Sequence, residues 1–218
     1  MSIYIFSFLI IFSSPQLASA KTLVGKVLSI HDGDTITIVS QESTKKEKVR
    51  LLGVDTPEID FNGNSQGEIA EMARDYLKKI LPLNSVIQIE LPEKGTDVNE
   101  RYLGKIIYNG IDLNLEMLKS GMGAVYFIYP YDKKMVMDYM KASQQASEAG
   151  LGIFSLKYKT QPLAYLFRQL TKGLPGTNLV ADFQNKRLYS SEDIEIVPHY
   201  RRVFFSSEEI AIVHGFNW

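Results

Sequence analysis

Three charged side chains that can do chemistry fall within a nine-residue segment around a short apolar run. The segment from Arg50 to Glu58 reads RLLGVDTPE, and the carboxylates of Asp55 and Glu58 lie at its end. Leucine and valine favour a buried strand, so the polar ends emerge where strand meets loop, and such rims commonly carry sites. Pro57 fixes its own φ and biases Thr56 towards an extended conformation, which stiffens the cluster. Its oxygens suit a hard cation, although a strand ending in a proline turn with solvated acids explains the same residues.

Two further segments add residues of the same types. Asp32 and Asp34 flank Gly33 in a DGDT turn between two alternating runs, which is a strong hairpin signal. Taken alone, these aspartates are ordinary turn residues, and Arg101, after a polar loop, is an ordinary solvated cation. Together with the first segment, they add carboxylates and a cation to a cluster whose oxygens suit a hard cation.

Composition leaves the function open but bounds the class of protein. The 218 residues are 45% hydrophobic, which is sufficient for a real core and excludes large-scale disorder. The net charge is −1, so no global basic field indicates a nucleic-acid partner, although a local basic groove remains compatible with it. The chain has no cysteine, which excludes both disulfides and a thiolate-bound structural zinc.

The N-terminus is predicted to be a signal peptide, residues 1–20, cut after Ala20. An apolar run from Ile3 to Phe12 is followed by the small residues Ala18-Ser19-Ala20. The run is shorter than the ~20 residues that a transmembrane helix needs. We therefore expect a secreted or periplasmic protein without stable membrane association. Since no lysine or arginine precedes the run, an uncleaved N-terminal anchor is the alternative.

The region 21–159 has the pattern of a five-stranded barrel with three helices. Asp-Gly and Asn-Gly turns and lysine-rich loops separate the apolar alternating runs, and the first helix is predicted to begin with a Ser65/Glu68 capping box. Strands interrupted by a helix after the third follow the order of an OB-type Greek-key barrel. The predicted strands lie at 23–30, 35–39, 49–54, 86–91 and 103–108, and the helices at 65–80, 113–120 and 132–149.

The pattern of predicted elements changes after Lys159. A linker, residues 160–178, contains a short amphipathic helix with leucines at positions 163, 166 and 170. The last part, residues 179–218, is predicted to be a small α+β module with strands at 186–189, 194–197 and 201–205 and a helix opened by Ser206 and Glu209. The fold class is therefore α+β, a β-barrel plus helices followed by a small module.

The motifs RLLGVDTPE and DGDT, together with Arg101, resemble the staphylococcal-type thermonuclease family. The resemblance runs from about Leu23 to Tyr158 and includes Asn109-Gly110 followed by Asn114. It implies an OB-fold nuclease that uses one calcium ion, with magnesium the less favoured metal, to hydrolyse DNA and RNA and leave 3′-phosphates. No protein partner is implied.

The resemblance also implies a role for each site residue. Asp34, Asp55 and the Thr56 carbonyl correspond to an all-oxygen metal site, with Asp32 as a supporting carboxylate. Glu58 corresponds to the general base. Arg50 and Arg101 correspond to the two arginines that bind phosphate oxygens and complete the catalytic set. Tyr129 corresponds to a tyrosine that contacts the substrate.

The chain departs from the family pattern at two places. Asn99-Glu100 stand before Arg101 where the family has Tyr-Gly, so a phosphate-holding tyrosine is absent and a negative charge is added. The part from about Leu179 faintly resembles an Ada-like metal-binding module, but it lacks the metal cysteines and is assigned no site. Glu100 and the missing tyrosine leave a rival expectation, an OB-fold nucleic-acid-binding module with weak or no catalysis.

Overall fold

The computed structural model describes residues 21–218 except Lys94 and Pro175. The predicted signal peptide, residues 1–20, lies outside the described residues. Within the described part of the chain, no helix is long and apolar enough to cross a membrane.

Strands dominate the first half of the described chain, and short helices and strands alternate in the second half. The strands are β1 (Lys21–Ile30), β2 (Thr35–Ser40), β3 (Lys46–Leu51), β4 (Gly53–Asp55), β5 (Val86–Leu91), β6 (Tyr102–Tyr108), β7 (Ile111–Asp112), β8 (Ala124–Tyr126), β9 (Leu179–Asp182), β10 (Leu188–Tyr189) and β11 (Arg202–Phe205). The α-helices are α1 (Glu68–Ile80), α2 (Leu113–Lys119), α3 (Lys133–Glu148), α4 (Ala164–Lys172) and α5 (Glu208–Val213). Short 3₁₀ turns lie at Gly152–Phe154, Ile194–Ile196 and His199–Arg201.

Five strands close into a barrel, as the sequence predicts. The order β3-β2-β1-β5-β6 is antiparallel throughout, and the parallel pairing of β3 with β6 closes it, with Arg50 opposite Leu103. β7 extends β6 by a short hairpin. Closure removes free strand edges from the barrel and brings the end of β3, where the RLLGVDTPE segment lies, to its rim.

The barrel interior follows from the alternation of side chains along each strand. In β5, Ile87, Ile89 and Leu91 point inward while the residues between them are exposed. Helix α1 covers the barrel with Ala73 and Leu77, both fully buried. Each buried leucine or isoleucine side chain contributes about 1.5–3 kcal/mol to stability, so this core holds the rim in place.

The predicted third strand, 49–54, is interrupted: β3 ends at Leu51, and a separate strand, β4, begins at Gly53. This residue has a φ of 76°, and a Cβ there would lie 2.2 Å from the ring of Phe127. The backbone therefore turns out of the barrel, and β4 pairs with β8, Asp55 opposite Ala124. Because of this turn, β4 leaves the path of the barrel strands, and Asp55 at its end lies at the barrel rim.

The predicted capping box at the start of α1 is wrong. The helix begins at Glu68, its N-terminal flanking residue is Gly67, and no side chain caps it. Ser65 instead accepts a hydrogen bond from the Gly67 backbone. Gln66 exchanges hydrogen bonds with the Glu58 backbone on both sides, its own N–H donating to the Glu58 carbonyl and its side-chain oxygen accepting from the Glu58 N–H. This pairing holds Gln66 against the Glu58 backbone, Gly67 turns with a φ of 69°, and the helix begins only at Glu68.

The C-terminal residues form a three-stranded antiparallel sheet in the order β10-β9-β11. The sequence did not predict β9, and the strand predicted at 194–197 is a 3₁₀ turn. There Ile194 and Val197 are buried while Ile196 is 64% exposed. Burial at a spacing of three residues fits a 3₁₀ turn and not an alternating strand. α5 begins one residue later than predicted, with Ser207 accepting from the Ile210 N–H.

His199 is expected to make the protein less stable in mild acid. Its ring stacks on Phe154, its Nε2 is buried without a hydrogen-bond partner, and burial together with the charge of Arg202 lowers its pKa to about 4. The unfolded chain binds a proton near pH 6.5 while the folded chain does not, so stability falls as pH drops from 6.5 towards 4, by roughly 2 kcal/mol at pH 4.5.

To test this expectation, the melting temperatures of wild type and His199→Phe are measured at pH 7 and pH 4.5. The phenylalanine keeps an aromatic ring against Phe154 but cannot bind a proton. The melting temperature of wild type should fall more between pH 7 and pH 4.5 than that of the variant. Exposed His214, changed to Phe, is the matched control and should behave as wild type. An equal fall in all three proteins would contradict the assignment.

Candidate active site

Arg50 joins two buried carboxylates at the barrel rim. Its Nη1 donates to Oδ1 of Asp34 at 2.8 Å, and its Nη2 donates to Oδ1 of Asp55 at 2.6 Å. Asp34 is 2% exposed and Asp55 is 1% exposed. A planar guanidinium has two nitrogens at a fixed spacing, so it sets the relative position of the two carboxylates. The residues predicted as metal ligands are therefore brought together.

The turn before β2 packs closely against the start of the loop after β4. Asp34 Oδ2 accepts from the Thr56 N–H at 3.0 Å, and its Oδ1 accepts from the Thr35 hydroxyl at 2.9 Å. Gly33 makes the approach possible, since a Cβ there would lie 2.8 Å from both Thr56 Oγ1 and the Cβ of Ala73. Thr56, the third predicted ligand residue, thus lies beside Asp34.

Gly33→Ala is expected to lower the free energy of unfolding by about 1–3 kcal/mol, the usual cost of overpacking. The added methyl group must push the turn away from Thr56 or α1. Gly95→Ala is the control, because its Cβ would meet no atom closer than 3.7 Å. Urea denaturation of the two variants checks the expectation, and equal stability of both would contradict it.

Glu58 lies next to Asp55 and shares an ion-pair partner with it. Arg168, on α4, donates from Nη1 to Glu58 Oε1 at 2.5 Å and to Asp55 Oδ1 at 2.8 Å. Its Nη2 donates to Asp55 Oδ2 at 3.0 Å. The guanidinium also lies over the ring of Tyr126, 5.8 Å from the ring centre. Sequence reasoning missed Arg168, because nothing near it in the chain has the spacing of a site.

Burial and the two arginines set opposite pKa shifts in the cluster. Burial alone raises the pKa of Asp55, but Arg168 and Arg50 outweigh it and hold that pKa below its ordinary value. At Glu58 burial prevails over Arg168, so the pKa is raised. Burial and then the charge of Asp34 raise the pKa of Asp32 to about 7. Asp32 Oδ1 accepts from the Asp34 N–H at 2.9 Å, which fits its predicted supporting place.

The donor set fits a hard divalent cation. Asp34, Asp55 and the Thr56 carbonyl offer oxygen only, which calcium and magnesium prefer. Four carboxylates, including Asp32 and Glu58, face two guanidinium groups, so the cluster has an excess of negative charge that a divalent cation would offset. No three His, Asp or Glu side chains of the described residues converge on one point as a ready metal cage. Both carboxylate oxygens of Asp55 already bond to arginines.

Arg101 lies near the cluster but is held by another acid. Its Nη2 and Nε donate to Asp97 Oδ2 at 2.7 and 2.8 Å, and Asp97 Oδ1 accepts from its backbone N–H at 3.0 Å. Its Nη1 is 3.5 Å from the Thr35 hydroxyl, which itself bonds Asp34. Glu100, one of the two residues that depart from the family pattern, has a φ of 60° and shapes this turn. Asp97 thus holds Nε and Nη2 of Arg101, while Nη1 lies on the side of Thr35 and the acid cluster.

Tyr129 packs against the C-terminal part of the chain. Its ring centre is 5.6 Å from that of Phe205, with nearly parallel planes, and 4.1 Å from that of His214. Its backbone N–H donates to the Phe204 carbonyl at 2.9 Å. The predicted substrate-contacting tyrosine thus has the C-terminal sheet as its immediate neighbour.

Small barrels of the OB type commonly bind nucleic acids, and buried acids beside an arginine at the rim can hold a metal ion that assists hydrolysis. A family model described as "Staphylococcal nuclease homologue" matches residues 48–156, half of the chain. The chain belongs to this family, which is generally metal-dependent. The matched residues include Arg50, Glu58 and Arg101 but neither Asp34 nor Arg168.

The chain is also similar to several other proteins. The chain is 34% identical to an uncharacterized protein of Bacillus anthracis over 65% of each chain. It is 28% identical to Endonuclease YhcR of Bacillus subtilis over 88% of its own length but 16% of that protein. It is 30% identical to an uncharacterized endonuclease of Haemophilus influenzae, over 72% of this chain and 80% of the relative. The chain thus spans less than two thirds of the first two relatives.

Proposed function

We propose that this protein is a calcium-dependent nuclease that hydrolyses phosphodiester bonds of DNA and RNA with little sequence specificity. The observation that carries the proposal is the guanidinium of Arg50 bridging Asp34 and Asp55, with Glu58 beside them. A binding module has no need for buried acids at this position, because carboxylates repel the phosphate backbone.

Each side chain has a distinct task in hydrolysis. Glu58 accepts a proton from the attacking water, as a carboxylate with a raised pKa can do. Arg50 uses two of its five N–H donors on the aspartates and has others for phosphate oxygens as negative charge develops. When bound at Asp34, Asp55 and Thr56, calcium supplies positive charge for the phosphate and polarises water. These groups address the backbone and not base edges, so little base readout is expected.

The second candidate is an OB-fold nucleic-acid-binding module with weak or no catalysis. It is favoured by the position of Arg101, which bonds Asp97 and not the acid cluster. Loss of one phosphate-binding cation typically lowers the rate by about 10²–10³. Glu100 adds a carboxylate next to that arginine.

The experiment that separates the two candidates is a cleavage assay with the purified full chain. Single-stranded DNA, duplex DNA and RNA are each incubated with calcium, with magnesium and with a chelator. Calcium-dependent cleavage of all three substrates would support the proposal. Binding of DNA by fluorescence anisotropy without cleavage in either metal would favour the binding module.

We also propose that the protein is exported, because residues 1–20 have the sequence pattern of a signal peptide. The apolar run and the Ala18-Ser19-Ala20 segment have the pattern of a cleaved signal peptide. A protein that begins at Lys21 in the medium or periplasm is the expected result of N-terminal sequencing. Full-length protein in the membrane fraction would favour the N-terminal anchor.

A further inference from the structure

Helix α4 is anchored against the nuclease barrel by contacts at its start. Gln66 Nε2 donates to the carbonyl of Pro162, just before the helix, at 2.8 Å. Tyr165 is buried, stacks on Tyr126 with ring centres 6.0 Å apart, and accepts a hydrogen bond from Arg202 of the C-terminal sheet. Helix α4 therefore reaches the barrel in a defined position, one turn before Arg168.

Arg168 donates hydrogen bonds to two carboxylates that the proposed reaction uses. Nη1 bonds both Asp55 and Glu58, and Nη2 bonds the second oxygen of Asp55. The side chain is 19% exposed while that of Asp55 is fully buried. The guanidinium is thus built into the site.

A metal ion and this guanidinium need the same oxygens. Both carboxylate oxygens of Asp55 accept hydrogen bonds from Arg168, and one also accepts from Arg50. Two cations that share one carboxylate repel each other, and the repulsion is weakly screened at a buried site. Binding of a divalent ion at Asp55 is therefore opposed as long as Arg168 stays.

We propose that Arg168 is a positioning residue of the nuclease site, which holds Asp55 and Glu58 and competes with the metal for Asp55. It thereby sets the metal concentration at which the site becomes active. The inference rests on the proposed function for the presence of a metal. It goes beyond the family, since α4 lies outside the residues 48–156 that the family model matches.

The first measurement is calcium affinity, by isothermal titration of the full chain. Arg168→Met, which removes the charge, should bind calcium at least about tenfold more tightly than wild type. Arg168→Lys keeps a charge that cannot bridge two carboxylates in the same way and should fall between them. Lys172→Met is the matched control on the same helix: Lys172 is exposed, lies over the ring of Phe61, and its loss should leave the affinity within twofold.

The second measurement is the calcium dependence of cleavage. In Arg168→Met the calcium concentration for half-maximal rate should fall in step with the Kd, and kcat at saturating calcium should also fall, because Glu58 loses the partner that positions it. A kcat lowered by about 10² with unchanged calcium affinity would overturn the proposal, because it is the loss expected from removing a phosphate-binding cation.

A third measurement, the melting temperature with and without calcium, tests the role of Arg168 even if a variant is less stable than wild type. Removing Arg168 leaves Asp55 short of one partner, so the calcium-free variant should melt below wild type. Calcium should raise its Tm more than that of wild type, as tighter binding to the folded state requires. If Arg168→Met does not fold in either condition, Arg168→Lys carries the comparison.

The inference and the proposed function can fail separately. Tighter calcium binding by Arg168→Met in a protein that cleaves nothing would support the role of Arg168 and refute the nuclease. Cleavage by wild type with equal calcium affinity in all four proteins would support the nuclease and refute the role of Arg168. The absence of calcium binding by wild type and every variant would refute the competition outright.

Discussion

Glu58→Gln is expected to lower kcat by about 10²–10⁴, because an amide cannot accept the proton that the attacking water loses. The two side chains have nearly the same shape, and the amide oxygen of the variant can still accept a hydrogen bond from Arg168, as the Glu58 carboxylate does. Nucleic-acid binding should therefore remain. The measurements are the initial rate of single-stranded DNA cleavage at saturating calcium and the Kd of the same DNA by fluorescence anisotropy.

The control is Glu68→Gln, at the first residue of α1. Glu68 is exposed and pairs with Lys157, so it differs from Glu58 in surroundings and not in chemistry. The control variant should cleave at the wild-type rate. A loss of less than threefold in Glu58→Gln, with the protein folded, would remove Glu58 from the reaction and leave proton transfer to another group.

Asn114→Ala is expected to lower the free energy of unfolding by about 3–5 kcal/mol, because it leaves buried backbone groups without partners. The Asn114 side chain has no exposed surface. Its oxygen accepts from the Ile106 N–H at 3.0 Å, and its amide donates to the carbonyls of Leu52 and Gly104 at 2.9 and 3.0 Å. One side chain thus joins α2 to the end of β3 and to β6.

Chemical denaturation of Asn114→Ala and Asn99→Ala compares a buried amide with an exposed one. Asn99 lies exposed in the loop before Arg101, and truncating it should change stability by less than about 0.5 kcal/mol. If the two variants unfolded at the same denaturant concentration, the three hydrogen bonds of Asn114 would carry no net stability.

The barrel was predictable because its signals are local. The Asp-Gly turn between two alternating runs specifies the β1–β2 hairpin, and the pattern of β5 places alternate residues inside. The break at Gly53 was not predictable, because it depends on the ring of Phe127, far along the chain. The capping box failed for the same reason: the Glu58 backbone competes for the residues before α1.

The site also has one part that local sequence signals predict and one part that they do not. The motif around Asp55 and the DGDT turn identify candidate residues, and the structure brings Asp34, Arg50 and Glu58 to one rim. Arg168 carries no motif, and 113 positions separate it from Asp55. A lone arginine on an amphipathic helix has no sequence signal that distinguishes it from a solvated charge. Its place follows only from the docking of α4.

The parallel closure of the barrel also bears on how the protein folds. The β1–β2 hairpin and β3 are contiguous in the chain, so they can pair early with little loss of loop entropy. In contrast, β3 and β6 are separated in the chain by β4, α1 and β5, and they pair with Arg50 opposite Leu103. Contacts of such long range slow folding and tend to form late. We therefore expect Arg50 to reach its final surroundings late in folding, so that a chain halted before that step would lack the assembled rim on which the proposed catalysis depends.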